Sequence, residues 1–88
     1  MTSLEQVVNE RISFLKEQIH PSNKAIVNRT FEVQVEAIRS ADTEKIAMLV
    51  LQKKTQLQVA KDVHEADKLF AELDALEWLQ RQVVAHIS

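Results

Sequence analysis

Eighty-eight residues without a single glycine, and with one proline, Pro21, leave a chain very few ways to turn sharply. Glycine supplies the φ > 0 positions on which phosphate loops, nucleophile elbows and tight hairpin turns depend. Long helices need none of these. The sequence therefore points to an all-α fold and sets aside most loop-built catalytic devices.

The spacing of apolar residues supports helices throughout. Leu4, Val8, Ile12, Leu15 and Ile19 recur at intervals of four, four, three and four, with Val7 and Phe14 alongside. That is one apolar stripe on a helix over about residues 3–19, opened by a capping box between Thr2 and Glu5 and closed at His20-Pro21. A second helix, over about 22–40, starts from Pro21, Ser22 or Asn23. Its apolar residues, from Ile26 to Ala41, cover more than half of the helical wheel, so it needs neighbours on two sides. Asp42 or Thr43 is the next cap, with acidic Glu44 behind it.

From Thr43 to Ile87 there is no proline, glycine or turn cluster. One stripe, Ile46, Leu49, Val50, Leu57 and Ala60, fades near residue 60. Another runs through Met48, Leu51, Thr55, Val59, Asp62, Ala66, Leu69, Leu73, Leu76, Gln80, Val83 and Ile87, close to a sustained heptad, with Val63, Phe70 and Val84 widening it. The phase predicts one continuous helix over 43–87, about 65 Å long at 1.5 Å per residue. The chain thus reads as a single all-helical domain, 1–88: a helical hairpin packed on a long C-terminal helix. The alternative is a monomeric four-helix bundle, with the long helix broken at Asp62-Val63-His64-Glu65, which itself fits a capping pattern.

A hairpin of two shorter helices is too short to cover the stripe Leu69, Leu73, Leu76, Val83 and Ile87. These five residues are therefore expected to form an interface with a second copy, in a coiled-coil-like homo-oligomer. Leu73 is expected to be buried and Glu72 to sit on another face. Charge suggests the orientation. Lys45, Lys53, Lys54 and Lys61 are followed, after a boundary at 61/62, by six acids against Lys68 alone as far as Glu77. An antiparallel pair would set lysines beside acids, so an antiparallel dimer is the simplest assembly.

Chemistry-bearing patterns are thin. His64-Glu65-Ala66-Asp67-Lys68 begins like a zinc-protease helix, but Lys68 stands where the second histidine belongs. Glu17-Gln18-Ile19-His20 has the Glu-x-x-His spacing of di-iron helices, of which the chain carries one and not two. Asn28-Arg29-Thr30 matches a glycosylation sequon. With no cysteine there is neither a disulfide nor a thiolate ligand. The serines have no nearby His/Asp pattern, and no cofactor or metal is implied. Trp78 lies off the long stripe, either as an exposed hot spot or as cover for a neighbouring helix in an oligomer.

Net charge of −2 argues against general nucleic-acid binding, and no apolar run approaches the ~20 residues that span a bilayer. Met1 to Gln6 do not read as a secretion signal, so a cytoplasmic setting is expected. The function expected is a non-enzymatic protein–protein interaction or assembly module, acting on itself and on a further protein that the sequence does not identify. The alternative is a small regulator contacting nucleic acid, or a nucleic-acid-binding protein, through the Lys45–Lys61 face. A metal-dependent helical enzyme is a more distant third.

Overall fold

Ser3 starts the first helix. The computed structural model describes residues 2–87, and in it the Ser3 hydroxyl accepts the Gln6 N–H at 3.1 Å, capping α1 (Leu4–Glu17). The cap is one residue later than the Thr2–Glu5 box expected. α2 spans Ala25–Ser40, α3 Ile46–Gln58 and α4 Val63–Ile87, with a 3₁₀ turn at Thr43–Lys45. All four helices pack against neighbours, and no strand occurs among the described residues.

The second helix begins three residues later than expected because its candidate caps are used elsewhere. His20 O accepts the Asn23 N–H at 3.0 Å, closing a turn with Pro21 at its second position, where a fixed φ is favourable. Ser22 bonds the His20 ring, and Asn23 Nδ2 donates to Gln18 O at 2.8 Å. At the far end of α2, Asp42 caps the 3₁₀ turn by accepting the Glu44 N–H at 3.0 Å.

The continuous helix over 43–87 is not present. Its place is taken by α3 and α4, joined by Val59–Asp62, and the heptad phase runs straight through the break. The Asp62 carboxylate accepts the His64 N–H at 2.9 Å and its carbonyl accepts the Ala66 N–H at 2.9 Å. The first bond satisfies one of the donors that every helix start leaves open, and the second is the first turn of α4 itself. No residue described takes φ > 0, so the reversal uses only backbone regions open to any side chain. Missing glycine therefore did not forbid it.

The break separates the two stripes. α3 turns its first stripe inward, burying Ile46 and Val50 and half-burying Leu49 and Leu57, while Met48, Leu51 and Val59 of the second are exposed. α4 turns the second stripe inward, burying Leu69 and Leu76. Leu15, Val35, Ala37, Ile38, Ile46, Val50, Ala75, Leu76 and Leu79 form the main core, and Leu79 is its most enclosed side chain at 1% exposure.

α4 is the common partner, packing against α1, α2 and α3, whereas the backbone of α3 makes no close approach to α1 or α2. At about 1.5 Å per residue its 25 residues span ~37 Å, close to the longest dimension of the molecule. The other dimensions, 33 and 15 Å, describe a flattened body. A square four-helix bundle with ~10 Å spacing would be nearer 15 Å both ways.

Candidate interaction surface

The α3–α4 pair carries both the charge step and most of the exposed apolar side chains. Lys53 Nζ lies 3.0 Å from Glu72 Oε2, and Lys54 Nζ lies 3.9 Å from Glu77 Oε1. Residues on opposite sides of the 61/62 boundary thus meet within one chain. Two of the six acids expected to face a second copy, Glu72 and Glu77, face the chain's own lysines. Only the 53–72 pair is shielded, with a quarter or less of each side chain in water. The 54–77 pair is exposed and weak.

Four of the five residues expected at an interface are already covered by the chain itself. Leu69 and Leu76 are buried, and Leu73 and Val83 are half-buried against the core. Ile87 stands apart at 81% exposure. The premise that a short hairpin cannot cover this stripe fails because α3 folds back to supply the missing wall.

What is left open is a different set. Val63 and Phe70, 72% and 58% exposed, lie seven residues apart and so share one face of α4. Met48 and Leu51, three apart, share the outward face of α3, and Val59 sits at the tip of the reversal. Lys54 is one turn on from Leu51, and Glu77 lies two turns on from Phe70 along the same α4 face. Their ion pair therefore places Leu51 and Phe70 on the same side of the hairpin.

Trp78 anchors α4 to α1. The Arg11 guanidinium of α1 lies 5.1 Å from the Trp78 ring centroid and 5.2 Å from that of Phe14. Trp78 is half-buried and covers α1 of its own chain, neither an exposed hot spot nor cover for a helix of a second copy. Arg11 Nε is buried with no hydrogen-bond partner, so the sandwich holds the cation by ring contacts. An arginine and a phenylalanine three apart in sequence gave half the signal; the tryptophan came from 67 residues away.

The other sequence candidates are not brought together. His64 and Glu65 are exposed at the start of α4, and Glu17 and His20 at the end of α1. Among the described residues no three His, Asp or Glu side chains gather into a metal-holding group. Asn28 of the sequon is engaged by the α1–α2 connection. Its Nδ2 donates to His20 O at 2.8 Å, and its Oδ1 accepts from His20 N at 3.2 Å and from Asn23 Nδ2 at 2.9 Å. One groove of about 550 Å³ separates the first halves of α2 and α4, with Ile26, Val33 and Ala71 beside Arg29, Asp67 and Lys68. Its charges are of mixed sign.

No helix described is long and apolar enough to cross a membrane. The chain matches no protein-family model, no curated protein and no solved structure.

Proposed function

We propose that this chain is a non-enzymatic interaction module that works by associating with itself, through the α3–α4 flank carrying Met48, Leu51, Val59, Val63 and Phe70. The observation that supports it is the concentration of these five large apolar side chains, each more than half exposed, on a single helical hairpin. Scattered apolar residues are ordinary on a protein surface, but five gathered on one helical hairpin point to a contact area. A second copy is the occupant because a two-fold axis lets one patch meet its equal and closes the assembly at a dimer.

Sedimentation equilibrium at micromolar concentration tests this. The expected mass is at least twice the 10.1 kDa of the chain. Val63→Ser with Phe70→Ser, both at exposed positions, should return it to the single-chain mass with unchanged helicity. A wild-type protein that is strictly monomeric overturns the proposal. The alternative, nucleic-acid contact through the Lys45–Lys61 face, has weaker support, since Lys53 and Lys54 are both paired with acids of α4. Salt-dependent retention on DNA would favour it instead.

A further inference from the structure

The connection between α3 and α4 has an unusual property: nothing in it requires a reversal. Val59, Ala60, Lys61 and Asp62 include no glycine or proline, and none of them takes φ > 0. Val59 sits at φ −106°, ψ 3°, a short step from the helical region. The Val59 and Ala60 N–H groups already donate to Gln56 O and Leu57 O in tight 3₁₀-type turns. Across the connection the spacing Leu51, Thr55, Val59, Asp62, Ala66, Leu69 stays in helical phase. Opposing this, the Asp62 cap on His64 N–H holds the reversal in place.

We infer that two copies associate by exchanging α4: the Val59–Asp62 hinge straightens, and each α4 docks on the α1–α3 unit of the other chain. The inference rests on the self-association proposed above but gives it a second route: exchange brings Val59 and Val63 together and rebuilds the rest of the flank, with Met48, Leu51 and Phe70, from two chains. Every contact that α4 makes with α1, α2 and α3 within one chain is then made between chains, so the core and the Lys53–Glu72 pair are retained. What changes is local. The Asp62 cap is given up, helical hydrogen bonds replace the turn, and the two hinges cross near the two-fold axis. That crossing brings together the exposed Val59 and Val63 side chains of both copies, which the folded-back chain leaves in water. The charge step at 61/62 suits both states, because lysines meet acids in antiparallel register whether the helices belong to one chain or two.

The test uses the absence of native cysteine. Chains carrying Lys53→Cys alone are mixed with chains carrying Glu72→Cys alone, unfolded together, refolded at high concentration and treated with a short bismaleimide. Exchange places position 53 of one chain beside position 72 of the other, so a covalent heterodimer is expected. Chains mixed only after folding should give about tenfold less, because exchange requires opening the whole α4 interface. Val63→Pro supplies the second arm. Proline is compatible with the first position of α4 but not with the interior of a straightened helix. It should lower the crosslinked yield about tenfold while circular dichroism shows helix content unchanged. Asp62→Ala, which removes the cap, should raise the yield. If Val63→Pro fails to fold, the crosslinking comparison alone still decides. A dimer that yields no 53–72 crosslink between chains overturns exchange and leaves self-association standing. A monomer under every condition overturns both.

Discussion

Lys53 of α3 donates to Glu72 of α4 at 3.0 Å, joining the basic and acidic halves of the sequence across the reversal between them. From sequence alone Glu72 sits on an unimportant face and its loss should be silent. In the fold it is half-buried and holds a cation that is itself only a quarter exposed. Glu72→Ala should therefore destabilise the protein by about 1–2 kcal/mol, the lower end applying if Lys53 swings out to water. Glu77→Ala, breaking the longer exposed pair, should cost no more than ~0.5 kcal/mol. Thermal melts followed by circular dichroism would separate the two, since ~1 kcal/mol moves the midpoint of a domain this size by about 4–8 °C. Equal melting points would show that the 53–72 pair contributes nothing special.

The Arg11–Trp78 stack is the second link that sequence reading missed, and it ties α1 to the middle of α4. Its contribution is measurable as a coupling. A double-mutant cycle of Arg11→Met and Trp78→Ala should give an interaction energy of about 1 kcal/mol, larger than at an open surface because part of the guanidinium is dry. Arg11→Met alone should stay within ~1 kcal/mol of wild type, since it also removes the unpartnered buried Nε. An additive cycle would reduce the stack to ordinary packing.

Asn28 stitches the α1–α2 connection with three hydrogen bonds to His20 and Asn23. Asn28→Ala should cost about 2 kcal/mol, and Asn28→Asp no less, because it keeps the acceptor but sets a carboxylate oxygen against the His20 carbonyl. Amide hydrogen exchange at His20 should accelerate in both variants. An unchanged His20 exchange rate would mean that the turn is held by its backbone alone.

Positions along the α4 stripe should differ sharply. Leu79→Ala, at the most enclosed point of the core, should cost about 2–5 kcal/mol and leave little folded protein near physiological temperature. Leu73→Asp places a charge against the same core and should destabilise comparably. Ile87→Ala, on a side chain mostly in water, should stay within ~0.5 kcal/mol. Chemical denaturation of the three variants checks the order.

The helical character of this chain is written in its residues, because composition and period are local properties. Apolar residues three and four apart select a helix wherever they occur, and Ser40 to Thr43 marked its boundary through side chains that bond their own backbone. Which stripe each helix turns inward was also partly legible, since Ile46 and Val50 on α3 and Leu69 and Leu76 on α4 were all marked as apolar faces. The partner of each face was not. One heptad phase running through Val59–Asp62 is compatible with a straight helix and with a reversal, and an aspartate at the hinge can cap either a real helix start or nothing. Only the tertiary structure chose, by letting α3 fold back so that its first stripe and the α4 stripe bury one another within a single chain. That choice moved the open apolar surface from Leu69, Leu73, Leu76 and Val83 to Met48, Leu51, Val63 and Phe70. Burial depends on contacts between residues far apart in sequence, such as Arg11 with Trp78 and Lys53 with Glu72, and no local pattern encodes those pairings.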